Sequence, residues 1–189
     1  MKNKGILYII SGPSGVGKGT ICKQLVERNE KLSFSVSATT RKPRNEDVEG
    51  VTYFFKTEEE FKRMIDENKF LEWAIYNGNY YGTPVAPVEE QLSKGNDIIL
   101  EIDVQGALNV IERVSGGVSI FIEPPDEETL YERLRGRGTE SEEEIEKRIS
   151  AAAYELKLKD KYDYVVVNDC LEDAIAQVEN IMNNEKLKK

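Results

Sequence analysis

The chain has 189 residues, 39% hydrophobic and 32% charged, with 14 Gly and 6 Pro, which fits one packed globular domain and excludes a disordered or fibrous chain. Its 26 Lys and Arg against 35 Asp and Glu leave a formal charge of −9, so broad binding to nucleic acid or acidic membranes is not expected and an anionic partner needs a local basic site. There is no His, and Cys22 and Cys170 stand far apart, which removes Cys/His zinc sites and His-assisted nucleophiles and leaves two buried free thiols as the expectation.

Ile6 to Ile10 is the longest apolar run. It is far short of the roughly 20 residues that cross a bilayer. With no secretory h-region at the N-terminus, a cytoplasmic location is expected. The run reads as a buried strand that ends in the Gly-rich stretch Ser11 to Gly19, and Ile21, Leu25 and Val26 follow at helical spacing. The texture then changes: Phe34, Val36 and Ala38 alternate, as do Tyr53 and Phe55, and Phe70 to Tyr81 is aromatic-rich with a turn pair predicted at Gly78 and Asn79. Between them one short helix is predicted, with Thr57 and Glu60 at capping-box spacing and Phe61, Met64 and Ile65 inward.

Three further apolar strands, Asp97 to Ile102, Val118 to Ile122 and Tyr164 to Val167, are separated by helical patterns, and the last leads into a helix with Leu171, Ala174, Ile175, Val178 and Ile181 on one stripe. Fully apolar strands alternating with helices indicate a parallel sheet covered on both faces. The segment from Asp126 to about Lys161 is charged and helical, with a break at Gly136 and Gly138, a capping box at Ser141 and Glu144, and little apolar surface of its own, so it is a candidate lid. The expected architecture is α/β: a parallel-sheet core (about 1–36, 95–125 and 162–189), an inserted small mixed β lobe (about 37–94) and a helical lid (about 126–161).

Gly12, Pro13, Ser14, Gly15, Val16, Gly17, Lys18, Gly19 and Thr20 lie between a predicted strand and a predicted helix, the context that distinguishes a G-x-x-x-x-G-K phosphate loop from a chance match. Its glycines let backbone N–H groups turn inward, the helix start adds positive charge, and Lys18 reaches the β- and γ-phosphates. Nucleoside triphosphate binding follows. The usual Ser or Thr after the lysine is Gly19 here, with Thr20 one place on. Glu101 and Asp103, two apart at the end of a predicted strand, are expected to share one face near the phosphates.

Arg41 and Arg44 flank Pro43, and Tyr53, Tyr80 and Tyr81 follow, a set suited to a second phosphate through guanidinium forks and phenol hydroxyls. Glu72 sits in Phe-Leu-Glu-Trp-Ala, where an unpaired carboxylate is costly. Its two oxygens match the adjacent N1–H and 2-amino donors of guanine.

Gly12 to Thr20, Ser37 to Arg44, Phe70 to Trp73, Gly78 to Thr83, Glu101 to Gly106, Arg133 to Gly138 and Val167 to Asp169 together resemble guanylate kinases, and the resemblance covers about residues 4–184. It implies a core, a nucleoside-monophosphate lobe and a lid, and ATP- and Mg²⁺-dependent phosphorylation of GMP or dGMP. By position it implies Ser37, Glu72 and Thr83 on the guanine, and Arg41, Arg44, Tyr53 and Tyr81 on the GMP phosphate. Asp103 would lie between the base and the phosphate loop, Arg137 and Arg148 would reach from the lid to the transferring phosphoryl group, and Asn168 would neighbour adenine. No residue is assigned as a direct metal ligand. Asp47 stands where the family usually has Glu, and Glu101 where it often has Asp. The alternatives are a non-catalytic module of the same fold that holds a phosphorylated peptide, and a kinase for another phosphate acceptor, which Glu72 and Thr83 disfavour.

Overall fold

In chain order the strands are β1 (Leu7–Ser11), β2 (Leu32–Phe34), β3 (Ala38–Thr39), β4 (Phe54–Phe55), β5 (Phe70–Tyr76), β6 (Asn79–Pro84), β7 (Asp97–Glu101), β8 (Val118–Glu123) and β9 (Tyr164–Val167). The helices are α1 (Lys18–Arg28), α2 (Glu58–Asp66), α3 (Val85–Ser93), α4 (Val104–Arg113), α5 (Glu127–Arg135), α6 (Glu142–Leu156) and α7 (Leu171–Leu187). The structure is a computed structural model that describes residues 4–135 and 142–188. Gly136, Arg137, Gly138 and Ser141, and with them the expected break, lid arginine and capping box to Glu144, lie outside the described residues.

Five strands pair in parallel in the order β2-β7-β1-β8-β9. Alternation along β1 explains why its whole run is apolar. Tyr8 and Ile10 enter one cluster with Ile21 and Leu25 of α1 and Ala174, Ile175 and Val178 of α7. Leu7 and Ile9 enter another with Val88 of α3 and Val104, Ala107 and Leu108 of α4. A strand with helices on both faces has no polar side to show. The edge strand β9 departs from the expectation of full coverage: Val165 and Val167 are each 40% exposed.

The inserted sheet, β4-β3-β6-β5, is mixed, with β3 and β4 parallel and the remaining pairs antiparallel. Phe61 of α2 stacks on Phe70 at 4.3 Å, and Phe54, Met64, Ile65 and Tyr80 close around them. The capping box at Thr57 and Glu60 is present in both directions. The hairpin turn falls one residue earlier than expected, on Asn77 and Gly78, whose φ values are 47° and 74°. Both central positions of such a turn need left-handed backbone, and Asn-Gly supplies it.

Helix α3, which the hydrophobic pattern does not reveal, begins after Pro84 and holds Pro87 in its first turn, where backbone N–H groups have no helical acceptor anyway. β7 stops at Glu101, and Asp103 instead caps α4 by accepting the Gly106 N–H at 2.7 Å, so the two carboxylates do not share a strand face. Cys22 is buried, but Cys170 is exposed at the N-terminal cap of α7, where only its backbone carbonyl is engaged by the helix. The lid segment is less polar in its packing than in its composition. Leu130, Leu134, Ile145 and Ala152 join the core cluster that also holds Val16 of the phosphate loop.

Candidate functional site

The loop between β1 and α1 is held by backbone fit. A Cβ on Gly12, whose φ is 147°, would lie 2.1 Å from the carbonyl oxygen of Ile122, so the loop presses directly on β8. Gly17 caps α1 in the left-handed region, and a Cβ there would meet the Asn168 amide nitrogen at 2.6 Å. That amide donates to the Val16 carbonyl at 2.7 Å, and Asn168 is 5% exposed. The Asn168 amide nitrogen is therefore committed to bracing the loop. Arg133 in turn donates to the Asn168 carbonyl at 2.9 Å.

Lys18 curls over this loop, with Nζ donating to the carbonyls of Gly12 at 2.6 Å and Pro13 at 2.9 Å. Burial pushes its ammonium below the usual lysine range, while Glu101, Glu155 and Asp103 act against that. The same burial raises the Glu101 and Glu155 carboxyls, and Lys18 pulls both back. Ser14 is exposed at the loop's crest and its Oγ accepts a 3.4 Å hydrogen bond from Arg148 of α6. Thr20 is exposed in the first turn of α1. The charges that meet here are one ammonium, one guanidinium and several carboxylates around a nest of loop amides, a geometry for a cation-accompanied polyphosphate.

The second cluster is built on the inserted lobe. Arg41 pairs with Asp47 at 2.9 Å, and the same carboxylate oxygen accepts the Arg44 backbone N–H at 2.7 Å. The Arg41 guanidinium also lies over the Tyr53 ring at 5.3 Å, and Tyr53 meets Tyr81 edge-on at 6.0 Å. Four of the expected phosphate-handling residues are thus brought together, and Asp47 fixes where two of them sit. Its spacing, three and six residues from the arginines, was the only sequence signal for that role.

Beside them, the β5–β6 register sets Glu72 opposite Thr83. Glu72 Oε1 accepts from the Thr83 N–H at 3.1 Å and from its hydroxyl at 2.8 Å, which leaves the other carboxylate oxygen unbonded among the described residues. Burial raises the Glu72 carboxyl above the usual range, and the charge of Asp103 raises it further. The charge of Asp103, at the N-terminal cap of α4, is thus felt at both Glu72 and Lys18. Ser37 stands half-buried just before β3, its carbonyl accepting the Phe54 N–H at 2.9 Å. Glu155 is a site residue that the sequence reading missed; it lies two helical turns after Arg148 on α6, the spacing that puts both on one helix face.

The phosphate-loop cluster lies at the carboxyl ends of β1 and β7, where open α/β sheets bind ligands. A groove of about 520 Å³ lined by Leu7, Phe70, Val88 and Leu92 lies instead toward the amino end of β1 and carries none of these phosphate- or base-handling side chains.

Comparison with known proteins is consistent along the whole chain. The guanylate kinase family model matches residues 4–185. A guanylate kinase of Caldanaerobacter subterraneus subsp. tengcongensis is 55% identical over 186 residues, spanning 98% of this chain and 90% of that protein. One of Halalkalibacterium halodurans is 52% identical over 188 residues, spanning 100% and 92%. The crystal structure of guanylate kinase from Anaplasma phagocytophilum superposes with a TM-score of 0.71 at 35% identity, covering 97% of this chain and 87% of that one.

Proposed function

The chain belongs to the guanylate kinase family, and from that premise we propose that its two clusters are the acceptor and donor sites of one phosphoryl transfer. The overall reaction is ATP-dependent phosphorylation of GMP to GDP. An oxygen of the GMP phosphate attacks the γ-phosphorus of ATP in line, the bond from that phosphorus to the bridging oxygen breaks, and ADP leaves.

The observation that carries the assignment of sites is the Glu72–Thr83 pair. One carboxylate oxygen is fixed by Thr83, and the other is free to accept guanine N1–H or the 2-amino group. Ser37 completes the base pocket. Arg41, Arg44, Tyr53 and Tyr81 hold the GMP phosphate, with Asp47 setting the arginines. The loop from Gly12 to Thr20 holds the ATP phosphates, Lys18 exchanging its loop carbonyls for phosphate oxygens. Arg148 approaches the transferred group from above Ser14, and Arg137 is its proposed partner from the sequence. Asn168 acts by bracing the loop beside the adenine side.

The acceptor phosphate is already anionic at neutral pH, so the reaction needs charge neutralisation and alignment rather than a strong base, in keeping with a chain that has no His. The residues present suit Mg²⁺ held mainly by phosphates: among the described residues no group of three or more carboxylate, Cys or His side chains forms a cage, while the Glu101 carboxylate lies beside Gly19 of the loop. Mg²⁺ bound with ATP supplies positive charge to the phosphate oxygens. dGMP is the proposed second acceptor. The free Glu72 oxygen and the lysine-capped loop favour a working kinase over a phosphopeptide-binding module. The test is ADP formation from ATP and Mg²⁺ with GMP, dGMP, AMP, CMP and UMP in parallel. GMP and dGMP are expected to lead by about 10²-fold or more, since a site built for specific donors rejects acceptors lacking them. Equal turnover of AMP would overturn the base-reading assignment.

A further inference from the structure

Two buried hydroxyls stand unpaired behind the phosphate loop. Leu7 and Ile9 face the cluster built on α3 and α4, and alternation puts Ser11, the last residue of β1, on the same side. Its register partner on β8 is Phe121, and the Tyr162 ring meets Phe121 edge-on at 5.0 Å. Tyr162 follows a single 3₁₀ turn, Lys159–Lys161, through which the chain returns from α6 to β9. Ser11 is 0% and Tyr162 8% exposed, yet neither hydroxyl has a hydrogen-bond partner among the described residues. A buried hydroxyl without a partner is costly, so each calls for one.

Acceptors lie at the same place. Val104, which follows Asp103, and Leu156, which follows Glu155, pack in the cluster that holds Phe121 and Tyr162. Burial raises the Tyr162 phenol above the usual tyrosine range, the Ser11 hydroxyl beside it acts against that, and the charges of Asp103 and Glu155 add to the rise. Asp103 gives one oxygen to the Gly106 N–H, which leaves its other oxygen unbonded among the described residues. Two hydroxyl donors beside two carboxylates that they do not reach are the partner set of one water. Such a water accepts from Tyr162 Oη and Ser11 Oγ and donates to the two carboxylates, four hydrogen bonds in all, the most that a buried water makes.

We infer that one buried water, held by Ser11, Tyr162, Asp103 and Glu155, ties the C-terminal end of α6 to the strand that carries the phosphate loop, and that Tyr162 is thereby a positioning residue for phosphoryl transfer. Tyr162 touches neither nucleotide. It acts through α6: Glu155 and Arg148 share a face of that helix, so a tether at its end fixes where Arg148 stands over Ser14. The kinetic part of the test rests on the reading of the loop as the ATP site, and the structural part is independent of it.

A crystal structure of the wild-type chain at a resolution that shows ordered water is expected to place one water about 2.5–3.2 Å from both hydroxyls, and the same crystals of Tyr162→Phe are expected to lack it. In a coupled ADP assay Tyr162→Phe lowers kcat about 3-fold to 10-fold, the worth of one hydrogen bond, with KM for ATP and for GMP unchanged within about twofold. A loss of stability alone would not divide kcat from KM in this way. Ser11→Ala gives a similar fall, and Ser11→Ala with Tyr162→Phe falls no further than the larger single effect, because partners of one water do not act independently. No shared water in the wild type, an unchanged kcat in Tyr162→Phe, or two effects that simply multiply would overturn the inference. Should Ser11→Ala fail to fold, the wild-type density and Tyr162→Phe still decide the matter. Failure of the wild type to bind the ATP analogue AMP-PNP would overturn the assignment of the loop instead, and the density would still decide on the water.

Discussion

Glu72→Gln is the substitution that separates recognition from stability. Gln keeps the length and can keep one oxygen toward the Thr83 N–H and hydroxyl, at 3.1 and 2.8 Å in the wild type. What it loses is the second oxygen, replaced by an NH₂ that points donors at the donor edge of guanine. A hydrogen bond to a charged group is worth about 1.5–3 kcal/mol, and a donor left unpaired on burial costs about 1–3 kcal/mol more. Together these amount to about 2.5–6 kcal/mol, roughly 10²–10⁴-fold in kcat/KM for GMP at about 1.36 kcal/mol per decade. ATP affinity is expected to hold within about twofold, since Glu72 does not touch the loop. The carboxyl is raised by burial, so its charged form costs stability at pH values above its folded pKa, and that cost disappears as pH falls through it. Thermal stability of Glu72→Gln at neutral pH is therefore expected to equal or exceed that of the wild type. Recognition has the opposite sign: GMP turnover by the wild type falls on acidification at a higher pH than an ordinary glutamate would give. A coupled ADP assay with GMP varied, together with calorimetric unfolding, reads all of this. GMP kinetics unchanged in Glu72→Gln would refute the base-reading role.

Three further outcomes are expected. Lys18→Ala abolishes transfer while GMP binding measured by calorimetry changes little; loss of GMP affinity instead would mean that the two sites are assigned wrongly. Asp47→Ala releases Arg41 and the backbone at Arg44, so KM for GMP rises by about 10-fold, equivalent to one charged hydrogen bond, with KM for ATP unchanged; an unaltered KM for GMP would show that the arginines need no such anchor. Lys186→Ala leaves Asp97, 4% exposed, with the Ile6 N–H as the one partner of its side chain among the described residues, and because the lysine is itself partly exposed the cost is about 1–2 kcal/mol. At about 2–4 °C per kcal/mol for a chain of this size, a fall in melting temperature of a few degrees with normal kinetics is expected, and an unchanged melting temperature would contradict it.

Much of the core was legible because the relevant physics is local. A strand covered on both faces must be apolar throughout, so β1, β7 and β8 stand out, and Thr57 with Glu60 marks the start of α2 by spacing alone. What stayed hidden depends on partners far along the chain. Helix α3 begins among prolines that look like breakers until their positions in its first turn are known. The role of Asp103 changed because β7 ends two residues before it, a boundary set by pairing with β1 and not by the run of side chains. Leu130 and Leu134 read as isolated apolar residues in a charged segment, yet Gly15 leaves the space that the Leu134 side chain approaches. In the site, residue types were legible and their couplings were not. Asp47 as the anchor of two arginines and Asn168 as a brace under Val16 each join residues that no periodic pattern connects.

A crystal structure of the chain with GMP, AMP-PNP and Mg²⁺ bound together tests the central claim most directly. The account predicts guanine against Glu72 and Thr83, its phosphate among Arg41, Arg44, Tyr53 and Tyr81, and the triphosphate on the loop at Lys18, with Asp103 between them. A purine ring seated away from Glu72, or the two nucleotides competing for the loop, would contradict it.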